Sequence, residues 1–246
     1  MSRQAELRGE EISFPSGQDR IRAHLVGPKP DERGPALVLV PDVQGLSDLY
    51  REIAGRFAAR GFTTLVIDLY SREGAPSLKS PAEAMAWIGK LPDPRILGDL
   101  QAAVDFLAAT GASRAIGVTG FCMGGQYALL AACSVRGLRA CVSFYGMLRY
   151  TTRSALKPRS PLDAAPDLGC PYLGIFGEED GLIPATDVEE LRERLAATGK
   201  DFEIRSYPGC GHAFLNHTRA DAYRPEAAAD AFERAVHFFE RHLAAK

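Results

Sequence analysis

Three groups in this 246-residue chain could do chemistry together: a cysteine between glycines, an acid cluster and a late histidine. Cys122 sits at the centre of Gly120-Phe121-Cys122-Met123-Gly124-Gly125. The apolar run Ala115-Ile116-Gly117-Val118-Thr119 precedes it, and the helix formers Gln126-Tyr127-Ala128-Leu129-Leu130-Ala131-Ala132 follow. Strand, Gly-x-Cys-x-Gly, helix is the pattern of a nucleophile elbow, with sulfur where a serine oxygen is usual. The turn is sharp, so a Cβ at Gly120 or Gly124 would run into neighbouring backbone. It lifts the thiol above the sheet to a helix N-terminus, where unpaired N–H groups and the helix dipole favour negative charge.

A thiol nucleophile needs a base, and the base needs an orienting acid. The apolar run 172–176 leads into Gly177-Glu178-Glu179-Asp180-Gly181-Leu182-Ile183-Pro184, and the run 202–207 into Pro208-Gly209-Cys210-Gly211-His212-Ala213-Phe214. Nucleophile, acid, histidine is the chain order of α/β-hydrolases. His212 is the candidate base. Asp180 is the preferred orienting acid because Gly181 and Ile183-Pro184 suggest a tight turn around it; Glu178 and Glu179 remain alternatives. The plainer reading of His212 is a loop histidine capping a turn, but its place after a late strand favours catalysis. His24, His217, His237 and His242 lack such a setting. An oxyanion hole needs backbone donors: the N–H of Met123, and the N–H of Val43 in Pro41-Asp42-Val43-Gln44-Gly45. Asp42 would oppose a thiolate by like charge, or accept a hydrogen bond from the resting thiol; its plainer role is an Asx-turn.

The elements that must position these groups alternate along the chain. Segments 11–15 and 20–26 read as an opening antiparallel pair turned at Ser16-Gly17. Buried-strand runs follow at 36–40, 63–69, 115–119, 140–145, 172–176 and 202–207. Helical patterns fall at 49–60, 96–109, 186–197 and 225–243, the last with Phe232, Val236 and Phe239 as a core-facing stripe. Such alternation implies an α/β fold, a mostly parallel central sheet with helices on both faces. Ligands then bind beyond the carboxyl ends of the strands, where every candidate residue falls. Stretches 71–94 and 148–169 read as irregular excursions that could wall a pocket.

Hydrophobic residues make up 46% and charged residues 24% of the chain, which excludes disorder and coiled coil. A net charge of −2 gives no reason to expect nucleic acid or an anionic membrane as partner. No apolar run approaches the ~20 residues of a membrane span. The polar segment 1–11 lacks a signal-peptide core, so a cytoplasmic location is expected. Five cysteines without C-x-x-C pairing argue against a disulfide framework, and Cys133, Cys141 and Cys170 read as core residues. Cys210-x-His212 has no second ligand pair, so no metal is expected. Residues 1–246 are expected to form a single domain, monomeric or in a small homo-oligomer, with a small molecule as its partner.

Taken together, the chain resembles the dienelactone hydrolase family (carboxymethylenebutenolidases and relatives) from about residue 11 to 243. The resemblance lies in Pro41-Asp42-Val43-Gln44-Gly45-Leu46, Asp68-Leu69-Tyr70, the cysteine elbow, Phe144-Tyr145-Gly146, Gly177-Glu178-Glu179-Asp180 with Ile183-Pro184, and Gly211-His212-Ala213-Phe214. It implies an α/β-hydrolase fold, a Cys122-Asp180-His212 triad, no cofactor, and hydrolysis of a lactone or carboxylic ester through a thioester. It also implies pocket walls from Tyr145 and Phe214, and a resting-thiol contact at Asp42, where the family usually has glutamate. The family's carboxylate-binding arginines are missing: the matching regions read Ala213-Phe214-Leu215-Asn216 and Ser80-Pro81-Ala82-Glu83-Ala84-Met85-Ala86-Trp87, with Met85 and Trp87 as an apolar wall. Arg72 and Lys79 could substitute only if their loop folds inward. The alternatives are a broad carboxylesterase, a non-catalytic binding module, and a redox-sensing thiol with Cys210 as partner.

Overall fold

The run of β-branched and leucine residues at Ala36–Val40 is buried on both faces, as a central parallel strand must be. It is β3 of an eight-stranded sheet in the computed structural model, which describes residues 7–28, 34–110 and 115–244. The strands are β1 (Arg8–Ser16), β2 (Asp19–Gly27), β3, β4 (Thr63–Ile67), β5 (Ile116–Phe121), β6 (Leu138–Phe144), β7 (Tyr172–Gly177) and β8 (Phe202–Tyr207). Their order across the sheet is β1-β2-β4-β3-β5-β6-β7-β8. β1 and β2 form the expected antiparallel hairpin, and β2 also meets β4 antiparallel. Every other pairing is parallel. This is the α/β-hydrolase fold. The polar N-terminal stretch considered above lies partly outside the described residues, at 1–6.

The helices are α1 (Asp48–Ala58), α2 (Pro81–Lys90), α3 (Asp93–Ala109), α4 (Met123–Ala132), α5 (Pro161–Ala164), α6 (Ala185–Ala196) and α7 (Pro225–Leu243). Among the described residues no helix is long and apolar enough to cross a membrane. The stripe Phe232, Val236 and Phe239 on α7 is buried, with the Phe57 ring of α1 tilted against Phe232, centroids 4.7 Å apart. α4 is buried all round, as its apolar sequence requires.

Two expectations need correction. The stretch 71–94 is not irregular throughout: it contains α2. Ser80 caps this helix, its Oγ accepting from the Glu83 N–H at 3.2 Å, and Pro81 takes the first turn. Glu83 reaches back to the Lys79 N–H at 2.7 Å. Ser-Pro-x-Glu is a start signal legible in the sequence. The stretch 148–169 likewise holds the short α5.

Connections from β3 run to β4 on one side, and β5 begins the run to the other side. The chain therefore reverses its direction of travel between β3 and β5. Loops leaving the carboxyl ends of these two neighbours diverge and open a crevice there. Pro41 follows β3, and Cys122 follows β5.

Candidate active site

The elbow folds as its glycines demand. Cys122 has φ 55° and ψ −118°, between the end of β5 and the start of α4. Its N–H donates to the Phe144 carbonyl at 3.0 Å, and its carbonyl accepts from the Gln126 N–H at 3.1 Å. A Cβ on Gly120 would lie inside the Gly124 carbonyl, and one on Gly124 inside the Val40 and Pro41 carbonyls. Only glycine lets β5, α4 and the loop after β3 approach so closely. The half-buried Cys122 lines a cavity of about 770 Å³ at the crevice mouth.

His212 arrives from the loop after β8 and lines the same cavity. Its Nδ1 lies 2.8 Å from Asp180 Oδ2, after β7. Asp180 is buried, and its Oδ1 accepts from the Leu182 N–H at 2.9 Å, which closes a turn and aims the carboxylate. Glu178 and Glu179 point to solvent, so Asp180 is the acid that meets the histidine. Burial opposes charge on the imidazole. The Asp180 hydrogen bond and then the Cys122 side chain outweigh it and raise His212 to about 10. Nε2 is itself buried, with Cys122 as the group that acts on it.

The loop after β3 is held by two devices. The Gly45 N–H donates to the Asp42 carbonyl at 3.0 Å, closing a turn over Asp42, Val43, Gln44 and Gly45. From the end of β4, the Tyr70 hydroxyl donates to the Val43 carbonyl at 3.0 Å. With its carbonyl fixed, Val43 keeps its N–H unbonded among the described residues; the N–H of Met123, first residue of α4, is also unbonded. Asp42 makes the Asx-turn, Oδ1 accepting from the Gln44 N–H at 2.8 Å, and it also interacts with the Tyr50 hydroxyl. It lines the cavity beside Cys122, but no hydrogen bond joins the two. Burial raises the Asp42 pKa, against the pull of Gln44, Tyr50, His212 and Arg219.

Of the residues expected as pocket walls, Met85 lines the cavity and three do not. Tyr145 is fully buried with φ 39°, its ring 5.3 Å from His212 and 5.7 Å from Phe214. Tyr145 therefore backs the histidine and Phe214 backs Tyr145, and neither faces the cavity. Trp87, on α2, turns away and packs 6.2 Å from Tyr70. Ala84, Met85 and Ile88 are the face that α2 presents to the cavity. Lys79 reaches the cavity wall, whereas Arg72 is held elsewhere by Asp99 and Asp19. Buried Cys210 is apart from the cavity. The sequence reading missed Asn216, Thr218 and Arg219, which also line it. They follow His212 in a turn-rich segment without periodicity, so no sequence pattern marks them.

The dienelactone hydrolase family model matches residues 21–243. This chain belongs to the dienelactone hydrolase family. With that membership it is a hydrolase acting on ester and lactone bonds. A Bradyrhizobium protein named "Probable 2-oxo-3-(5-oxofuran-2-ylidene)propanoate lactonase" is 37% identical over 94% of this chain and 93% of its own length. An Escherichia coli K12 protein named "Putative carboxymethylenebutenolidase" is 32% identical over 94% of this chain and 86% of its own. The crystal structure of a Klebsiella pneumoniae "Putative Dienelactone Hydrolase" superimposes with a TM-score of 0.90 at 32% identity, covering 96% of this chain and 99% of the other.

Proposed function

We propose that the chain hydrolyses a lactone or carboxylic ester through a Cys122-Asp180-His212 triad and a thioester. The observation that carries this reading is the 2.8 Å pair of His212 and Asp180 at a cavity that Cys122 also lines. His212 Nε2 is the site that holds the proton given up by the thiol, and the raised imidazole pKa of about 10 supports that charged resting form; such bonds commonly tighten only when substrate enters. Cys122 Sγ attacks the carbonyl carbon, and the carbonyl π pair moves to oxygen. The N–H groups of Val43 and Met123 hold that oxyanion. Its collapse breaks the C–O bond, and His212 gives the proton to the departing alkoxide, which in a lactone stays tethered to the acyl group. Water then attacks the thioester while His212 takes its proton, releasing the acid and the thiol. The name of the Bradyrhizobium relative makes an unsaturated five-membered lactone the first substrate to assay. Five cysteines without a disulfide fit a reducing, cytoplasmic setting.

Cys122→Ala is expected to abolish turnover of lactones and aryl esters while circular dichroism stays unchanged. Wild-type activity in that variant would overturn the nucleophile assignment.

A further inference from the structure

The Asp68-Leu69-Tyr70 segment has no part in the chemistry above, yet the structure puts its tyrosine behind both residues of the oxyanion hole. Tyr70 is fully buried and does not line the cavity. Its hydroxyl lies 3.0 Å from the Val43 carbonyl and 3.9 Å from the Met123 sulfur. Its ring packs on Gly45, where φ is 76° and an added Cβ would come within 2.8 Å of a ring carbon. The backbone of Tyr70 is held on both sides. Asp68 Oδ1 accepts from the Tyr70 N–H at 2.9 Å, and the Tyr70 carbonyl accepts from the Gly74 N–H at 2.8 Å. Asp68 is tied in turn to Arg22 at 2.8 Å.

The hydroxyl has one proton, and its direction follows from the neighbours. A carbonyl can only accept and a thioether accepts weakly, so the proton goes to Val43. Burial raises the Tyr70 pKa, which keeps that proton in place. The Trp87 side chain, edge-on to Tyr70 with centroids 6.2 Å apart, interacts with the same hydroxyl. An indole N–H can only donate, so it meets the phenol oxygen. The Val43 N–H shares its peptide plane with the Asp42 carbonyl, which the Gly45 N–H holds at 3.0 Å. The peptide on the other side of Val43 is the one that Tyr70 holds. With both planes fixed, the N–H stays aimed where charge develops. Resting on the hydrolase reading above, we propose that Tyr70 is a positioning residue that pre-organises the oxyanion hole, with the Trp87 indole N–H behind it, so that α2 and the hole are set together.

The test separates transition-state binding from ground-state binding, with butanal as the probe. Cys122 Sγ bonds to its carbonyl carbon and the π pair moves to oxygen. The proton held by the thiol–imidazole pair completes a hemithioacetal whose oxygen sits in the hole. Tyr70→Phe keeps the ring on Gly45 and removes only the hydroxyl. It should lower kcat/KM on p-nitrophenyl butyrate, and weaken butanal inhibition, by about fivefold or more each. Adding Tyr70→Phe to the Cys122→Ala protein should leave its affinity for the ester within about twofold, which a merely structural loosening of the cavity would not do. Trp87→Phe keeps a ring beside Tyr70 and removes the indole N–H. It should weaken butanal inhibition about two- to threefold, and it carries the test if Tyr70→Phe does not fold. Three results would overturn the proposal: a loss below about fivefold in folded Tyr70→Phe, no loss in Trp87→Phe, or a loss in ester affinity equal to that in butanal inhibition. Failure of the hydrolase reading shows separately, as turnover and butanal inhibition that persist in Cys122→Ala.

Discussion

Replacing Asp180 by asparagine removes one charge and keeps the shape, and its consequence can be worked out atom by atom. The Leu182 N–H donates to Asp180 Oδ1 at 2.9 Å, and only an oxygen can accept it. The asparagine oxygen therefore stays on Leu182, and its NH2 takes the place of Oδ2, 2.8 Å from His212 Nδ1. Two donors cannot face each other, so Nδ1 must lose its proton. The imidazole is left neutral with its hydrogen on Nε2, the atom that receives the thiol proton in the proposed mechanism. In the native protein the imidazole is held at about 10 against an ordinary 6.5. That span corresponds to about 5 kcal/mol at ~1.4 kcal/mol per pH unit, shared between Asp180 and Cys122. Breaking a buried charged pair costs about 3–5 kcal/mol. The expected results are a His212 pKa lower by at least about 2 pH units, read by NMR titration, and a loss of about 10²–10⁴ in kcat/KM. The stability difference from wild type should be full below about 6.5, because a raised folded pKa favours the charged form there. It should shrink as pH climbs through about 10. An unmoved imidazole pKa, or a loss in kcat/KM below about tenfold, would refute the reasoning.

Asp42→Asn keeps the Gln44 N–H bond through its oxygen and removes a buried charge. Because burial raises the Asp42 pKa, ionisation destabilises the fold. The variant should therefore match wild type at acid pH and become the more stable of the two as pH rises, read from urea midpoints. Lys157→Met strips the ammonium from Asp93 Oδ1, 2.6 Å away and buried, and should cost about 3–5 kcal/mol; adding Asp93→Leu should recover most of it, and a cycle without recovery would refute the pairing. Ala213→Gly relieves φ 62° and should leave the unfolding free energy from urea melts unchanged or raise it by up to about 1 kcal/mol, where the same change in a helix lowers it.

The sequence made the parallel strands legible because each is a short apolar run between turn residues, and the elbow legible because sterics leave glycine no substitute at Gly120 and Gly124. His212 and Asp180 could be placed because both follow such runs. Pocket walls were harder. Tyr145 and Phe214 follow strand ends near the site, yet their rings turn inward, Tyr145 against His212 and Phe214 against Tyr145 and Tyr207, a choice made by packing and invisible to spacing. Trp87 and Met85 sit two residues apart on α2, so they point to different faces; only a helix assigned at Ser80-Pro81-Ala82-Glu83 would have separated them. Asn216, a cavity-lining residue, is held by a side chain two residues later, a local bond with no periodic signature.

Backbone strain joins these observations. Among the described residues three that are not glycine have positive φ: Cys122 at 55°, Tyr145 at 39° and Ala213 at 62°. All three sit where the chain leaves the carboxyl side of the sheet: after β5, after β6 and just past His212. An L-residue in that region costs about 1–3 kcal/mol and persists only where its surroundings over-determine it. Here they do. Cys122 is fixed through Phe144 and Gln126, Tyr145 through an N–H bond to the Ile175 carbonyl at 2.7 Å, and Ala213 through the Asn216 N–H. The order in which these bonds run matters. The peptide that holds Cys122 comes from the residue before Tyr145, whose ring backs His212; the peptide that follows His212 anchors Asn216. Sulfur and imidazole are therefore set by three backbone segments coupled through the Phe144 carbonyl and the Tyr145–His212 ring contact, so a change that relaxes one turn bears on the others.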